Sequence, residues 1–294
     1  MHKSILVTGA NGQLGNELRE LSTLYADYTF TFMSRSELDL SNTEDICAYF
    51  TDKTFDVIIN CAAYTAVDKA ESEPGLARKI NTTAVETLAH IAKEKAISLI
   101  HISTDYVFDG KNFKPYLETD ATHPQGVYGQ TKLDGEQAML AINPINSIII
   151  RTSWVYSSFG NNFVKTMLRL GRERDELGVI YDQVGTPTFA RDLAQAILSI
   201  IQQSVLNAQK ATEIYHFSNE GVCSWYDFAK TIFEFSAIHC HVKPIETKDY
   251  PTPAKRPHYS LLNKAKIKNT FDMTIPYWKD SLQDCLDVLT GNKL

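Results

Sequence analysis

No apolar stretch in this chain approaches the roughly 20 residues that a membrane-crossing helix needs; the longest, such as 148–150 and 194–201, fall well short. A membrane partner is therefore not expected. Lys and Arg are scattered, no block of like charge exists, and the formal net charge is −6, so the basic field that wraps nucleic acid is missing. Nucleic acid is excluded as the first choice of ligand. The five cysteines (Cys47, Cys61, Cys223, Cys240, Cys285) are odd in number and lack CxxC spacing, which suits reduced thiols rather than a disulfide framework. His239-Cys240-His241 offers two imidazoles on one strand face but no third or fourth ligand nearby, so no metal is assigned. The amino-terminal residues run straight into Ile5–Val7 with no signal-peptide pattern, and the expectation is a cytoplasmic protein. Internal repeats and low-complexity segments are also missing.

What is present is a 294-residue chain, 44% hydrophobic and 22% charged, with ample material for two lobes. Short apolar runs at 4–8, 28–33, 56–60, 97–103 and 147–151 alternate with helical patterns, the signature of βαβ units winding into a parallel sheet. Several runs are uninterrupted, as expected when helices cover both sheet faces. Ser41-Asn42-Thr43-Glu44 reads as a capping box opening the helix after the second strand. Beyond Arg151 the alternation loosens into longer loops, a helix over 162–174 and a proline-rich stretch at 244–257, suggesting a smaller, irregular lobe. The fold class is α/β, a Rossmann-type doubly wound parallel sheet with that lobe appended.

Thr8-Gly9-Ala10-Asn11-Gly12-Gln13-Leu14-Gly15 follows the first strand and opens a helix. Glycines there allow a tight turn, and the helix N-terminus offers free N–H groups to a diphosphate. The spacing is GxxGxxG, so it matches the generic dinucleotide fingerprint only in part. About 20 residues further on, where an acid would take a ribose 2′-hydroxyl, the chain reads Ser34-Arg35. An arginine pairs with a 2′-phosphate, which favours NADPH over NADH, and Asp39-Leu40 falls where the adenine would lie.

A tyrosine four residues before a lysine on a helix shares a face with it, and the ammonium can then stabilise a phenolate. The pattern occurs at Tyr49/Lys53, Tyr128/Lys132 and Tyr226/Lys230. Only Tyr128/Lys132 is reached from the carboxyl end of a strand, the one ending at Ser103-Thr104, where an open parallel sheet places its ligand. The other two pairs read as packing residues.

Together the glycine turn, Asn60-Cys61-Ala62-Ala63, Ser103-Thr104 and Tyr128-x-x-x-Lys132 resemble the extended short-chain dehydrogenase/reductase family. More narrowly, Ser103-Thr104-Asp105-Tyr106-Val107-Phe108-Asp109-Gly110 resembles the signature of the dTDP-4-dehydrorhamnose reductases. So do the segments at 66–71, 151–156, 161–167, 182–188, 224–229 and Arg256-Pro257, which extend the match over nearly the whole chain. The resemblance implies NADPH- or NADH-dependent reduction of the C4 ketone of dTDP-4-dehydro-β-L-rhamnose. It implies a cofactor domain at 1–155 with a returning segment at 187–217, and a nucleotide-sugar lobe at 156–186 and 218–294. Thr104, Tyr128 and Lys132 would be catalytic, with Tyr128 giving a proton, Lys132 lowering its pKa and holding the ribose, and Thr104 bonding the developing oxyanion. The cofactor would be held by Gly9, Asn11, Gly12, Gln13, Leu14, Gly15, Ser34, Arg35, Asp39, Leu40, Ala62, Ala63, Tyr64, Asn81 and Ser103, together with Tyr128 and Lys132. Thr104, Asp105 and Trp154 would meet the sugar, and Arg256 the diphosphate.

Family members associated with magnesium hold it through carboxylates at a subunit contact. Glu17 matches one such position, but Arg191 stands where a second acid belongs, which argues against a metal here. A homodimer is an assembly the resemblance allows. Related dehydratases carry Thr-Asp-Glu at this strand end, and Tyr106 replaces the acid they need. A nucleotide-sugar C4 epimerase and a non-catalytic NADP-binding subunit like that of methionine adenosyltransferase stay open at this point.

Overall fold

The computed structural model describes residues 2–203 and 211–291. Its first half runs β1 (Lys3–Thr8), α1 (Gln13–Ser22), β2 (Tyr28–Met33), α2 (Thr43–Tyr49), β3 (Val57–Asn60), α3 (Val67–Ala70), α4 (Pro74–Arg78), a π-helical turn (Lys79–Thr83), α5 (Ala84–Glu94), β4 (Ser98–Thr104), a 3-10 turn (Asp105–Val107), α6 (Val127–Ile142) and β5 (Ile148–Thr152). There follow β6 (Val155–Tyr156), α7 (Phe163–Glu173), β7 (Glu176–Ile180), β8 (Val184–Gly185), β9 (Thr188–Phe189), α8 (Ala190–Gln202), β10 (Glu213–His216), β11 (Cys223–Ser224), α9 (Trp225–Phe235), β12 (His241–Ile245), α10 (Ala265–Phe271) and α11 (Trp278–Thr290).

Six strands form one parallel sheet in the order β10-β5-β4-β3-β1-β2. The chain winds from β1 to β2 on one side, then returns to β3 and continues the other way, so the winding reverses between β1 and β3. That reversal opens a crevice at the strands' carboxyl ends. Alternate strand residues feed two cores: Ile5 and Val7 pack with α1 and α8, while Leu6 packs with α2 and α5. Burial on both faces is what the uninterrupted apolar runs demand. The predicted strands agree with the observed ones to within a residue at each end.

A third cluster gathers Tyr156, Val164, Phe189, Phe228, Val242, Trp278 and Leu282 from α7, α9, α11 and the short ladders of β7, β9 and β12. Asn162 caps α7 by accepting from the Lys165 amide at 3.1 Å, so the helix expected over 162–174 starts at Phe163. The capping box expected at Ser41/Glu44 is a correction. Asn42 is the cap and accepts from the amides of Glu44 and Asp45, while the Ser41 amide is taken by the Asp39 carboxylate. An Asn side chain satisfies the same orphan donors without a reciprocal glutamate, so the register moves by one residue.

Candidate active site

The crevice at the carboxyl ends of β1, β3 and β4 is a cavity of about 730 Å³. Gly9, directly after β1, has φ +68°, and a Cβ there would sit 2.7 Å from the Ala62 amide nitrogen. Only glycine lets the first turn close on the loop after β3. The cavity is lined at this end by Gly9, Asn11, Gly12, Gln13, Leu14, Arg35, Asp39, Leu40, Ala62, Ala63 and Tyr64. Gly15 lies behind this wall, where the backbone of Gly9 and Ala10 leaves no room for a Cβ. Gln13 reaches outward, donating to the Val155 carbonyl at 3.2 Å and accepting from Asn162 at 2.9 Å. An open hollow beside the cavity, lined by Asn11, Ser34, Arg35, Ser36 and Asp39, collects hydroxyls and an exposed guanidinium. Arg35 lies 3.5 Å from Asp39, and the Ser34 hydroxyl donates to Glu37 at 2.7 Å.

Asn81 is placed differently from the other expected cofactor residues. Buried on the π-helical turn, it accepts from the Tyr64 amide at 2.8 Å and donates to the Tyr64 carbonyl and the Thr131 hydroxyl. It thereby braces the loop after β3 against α6. The Tyr64 hydroxyl turns outward and donates to Glu73 at 2.6 Å.

At the other end the same cavity is lined by Ser103, Thr104, Asp105, Tyr106, Tyr128, Lys132 and Trp154. β4 delivers the first two, and α6, entering at Val127, delivers the tyrosine and lysine one turn apart. The Thr104 hydroxyl donates to Asp105 at 3.0 Å and accepts from the Tyr106 amide. Burial holds the Asp105 carboxyl up to about 7, against the hydrogen bonds that lower it. The Tyr128 phenol sits edge-on to Tyr106 with ring centroids 5.4 Å apart. Its pKa is raised far above the ordinary tyrosine value, chiefly by burial and further by Asp105 and Tyr106, while a hydrogen bond with Thr104 opposes the rise. Lys132, expected to pull the Tyr128 pKa down, is not among these causes. The Lys132 ammonium is engaged elsewhere, donating to the Ile102 carbonyl at 2.6 Å and lying 3.2 Å from the His101 ring. Burial lowers the Lys132 pKa to about 8, against the nearby Glu136 carboxylate.

Trp154 has φ 49°, an uncommon conformation for a bulky residue. Its ring stacks on Trp225 at 3.7 Å and 12° between planes. Arg256 does not line the cavity. It donates to Asp68 at 2.7 Å and to the Tyr106 hydroxyl at 3.2 Å, one side chain removed from the site. Of the other tyrosine–lysine pairs, Lys53 lies over the Tyr49 ring at 3.8 Å and Lys230 over Tyr226 at 5.9 Å, both away from the cavity.

Three groups of residues escaped the sequence reading. Thr65, Ile80, Ile102 and Leu193 line the cavity through positions without chemical signature. His101 looks like a core residue of an apolar strand. Arg151 and Glu136 form a buried, bidentate ion pair, with Nη2 to Oε2 at 2.6 Å. The pair joins β5 to α6 and only the assembled layers reveal it. Glu17, considered for magnesium, accepts from Ser157 at 2.6 Å and lies 3.4 Å from Arg191. Among the described residues no group of three or more His, Cys, Asp or Glu is placed to hold a metal ion. Nor is any helix among them long and apolar enough to cross a membrane.

Comparison with known proteins places this geometry among relatives. The model of the family described as the RmlD substrate binding domain matches residues 2–290. A dTDP-4-dehydrorhamnose reductase of Escherichia coli K12 is 44% identical over 295 residues, covering 97% of this chain and 98% of its own. The crystal structure of a dTDP-4-dehydrorhamnose reductase from Clostridium acetobutylicum superposes with a TM-score of 0.91 at 42% identity, over 98% of this chain and 99% of that one. One from Bacillus anthracis, in complex with NADP, gives 0.91 at 37% identity over 97% and 99%.

Proposed function

Because this chain belongs to the family of the RmlD substrate binding domain, we propose that it reduces the C4 ketone of dTDP-4-dehydro-β-L-rhamnose to dTDP-β-L-rhamnose, the final step of dTDP-rhamnose synthesis, with NADPH preferred over NADH. The observation that carries this reading is one continuous cavity with the glycine turn and Arg35 at one end and Thr104, Tyr128, Lys132 and Trp154 at the other. The cradle suits a dinucleotide: a tight turn whose Gly9 and Gly12 leave the backbone open, a helix N-terminus behind it, and serine hydroxyls with a guanidinium where a 2′-phosphate would sit. NADPH, when bound, supplies the hydride that adds to the carbonyl carbon.

The chain's own residues supply the rest. Tyr128 holds its proton firmly, the state in which a donor to the carbonyl oxygen must begin, so reduction yields the alcohol and leaves the phenolate to be reprotonated from solvent. Thr104 offers a hydroxyl beside that oxygen, and Lys132 a cation to offset charge on the phenolate and to hold the ribose. Asp105 and Trp154 would meet the sugar, while Arg256, reoriented from Asp68, would meet the diphosphate. The lobe beyond 155, apart from a returning segment at 187–217, would select the sugar nucleotide. That segment carries α8, in the same core as β1, and β10, in the large sheet. A cytoplasmic location and a homodimer belong to the same proposal, and sedimentation checks the second.

The test is loss of nicotinamide absorbance when the purified protein meets NADPH and the 4-keto sugar nucleotide. Turnover is expected, and Tyr128→Phe should lower kcat by roughly 100- to 10,000-fold while the NADPH dissociation constant changes less than about twofold. A wild-type protein that binds NADPH yet leaves the ketone unreduced would overturn the reading.

A further inference from the structure

His101 lies fully buried in β4 and does not itself line the cavity, but its ring meets Lys132, which does. Its two ring nitrogens are both engaged. Nε2 is 3.2 Å from Lys132 Nζ, and Nδ1 is 3.1 Å from the Asn60 side-chain amide. Behind Asn60 stands Thr8, whose hydroxyl donates to the Asn60 carbonyl oxygen at 2.7 Å. A polar chain therefore runs through the sheet from β1 across β3 to β4 and ends on the lysine of α6. Nothing else polar is needed to build a strand at these three positions, and an apolar side chain at each would match the neighbouring core. From β5 the residue paired with His101 is Ile149, and the charged groups facing the chain are Lys132 and, one turn along α6, Glu136, which Arg151 engages.

We propose that His101, backed by Asn60 and Thr8, is a positioning residue that fixes Lys132 Nζ in the active site in both of its protonation states. With the Asn60 amide nitrogen toward Nδ1, that ring nitrogen accepts, the proton sits on Nε2, and it donates to a neutral lysine amine. A half-turn of the amide reverses every bond. The lysine ammonium then donates to Nε2, Nδ1–H donates to the Asn60 oxygen, and the amide nitrogen donates to Thr8. The ring stays neutral throughout, because burial and the lysine charge both oppose imidazolium. With the Ile102 carbonyl taking a second N–H, an ammonium keeps one N–H for the cavity.

The catalytic side of this inference rests on the reductase reading, and two measurements separate them. The first is kinetic. His101→Phe should lower kcat by at least about tenfold with KM for the sugar nucleotide changed less than about threefold, and should displace the alkaline limb of the kcat–pH profile. His101→Gln, whose amide reaches the place of Nε2, should recover most of the loss. If His101→Phe does not fold, Asn60→Ala, which keeps the ring but removes its backing, should show the same displaced profile. Wild-type kcat and profile in these variants, or a glutamine variant as poor as phenylalanine, would overturn the proposal.

The second needs no turnover. ¹⁵N NMR of histidine-labelled protein should show His101 protonated at Nδ1 near about pH 6.5 and at Nε2 near about pH 10, the change being lost in Lys132→Met. A single tautomer across that range overturns the proposal even if the enzyme is active. The switch in an inert protein would instead uphold the contact and remove the reductase reading.

Discussion

Asp105 is the cavity-lining residue on which burial acts most directly. Its carboxyl titrates at about 7 in the folded state against about 4 when unfolded, so between those values the native protein holds a proton that the unfolded chain has released. Stability therefore falls as pH rises from about 4 to about 7, and the full penalty persists above that range. Asp105→Asn cannot ionise and should melt at a higher temperature than wild type at about pH 8, the difference vanishing near about pH 4. Thermal denaturation across that range checks the sign, and an equal gain at both ends would contradict it. Arg35, exposed at the rim, carries a separate expectation: Arg35→Ala should lower kcat/KM with NADPH about tenfold and leave NADH nearly unchanged. Which tyrosine and lysine meet in a cavity was legible in the sequence, because strand ends and helix starts are local features. The direction of the Tyr128 pKa was not, since it depends on desolvation by side chains that only the folded layers bring together. His101 was equally hidden, for an imidazole in the run Ile100-His101-Ile102 has the pattern of a core residue until Asn60 and Lys132 are seen on either side of it.

At the scale of the element, α6 shows why a helix must be seated as well as formed. Its apolar periodicity is weak, and what holds it near the sheet is close backbone approach. A Cβ at Gly135 would overlap the Asn81 carbonyl oxygen, on the turn that also braces the Tyr64 loop. Gly135→Ala should therefore destabilise the protein by about 1–3 kcal/mol despite alanine's better helix propensity, measurable by urea denaturation. A neutral or stabilising substitution would show that α6 has slack. Opposite this contact, Arg151 grips Glu136 with three hydrogen bonds, pinning the same helix to β5. The strands were readable because both-faced burial leaves uninterrupted apolar runs. The cap of α2 was misread because Ser41, Asn42 and Thr43 are all competent caps, and the choice depends on where Asp39 already holds the chain.

For the molecule as a whole, the informative contacts join distant parts of the chain. Arg256 and Asp68 are 188 residues apart and meet at 2.7 Å, and the Ala254 amide donates to the same carboxylate. Both side chains are partly exposed, so the pair should contribute less than about 1 kcal/mol to folding in a double-mutant cycle. Arg256→Ala should nevertheless raise KM for the sugar nucleotide about tenfold, a split that denaturation and steady-state kinetics together reveal. No spacing rule connects those residues, which is why the sequence indicated the arginine but not its partner. The three tryptophans share a neighbourhood as well: Trp278 lies in the third cluster, and Trp154 and Trp225 pack against it. Intrinsic emission from this protein is thus a one-sided signal. Its tryptophan component reports the part built around α9 and α11, leaves the large sheet to tyrosines such as Tyr28 and Tyr215, and makes the stacked indole pair a built-in lamp at the Trp154 end of the cavity.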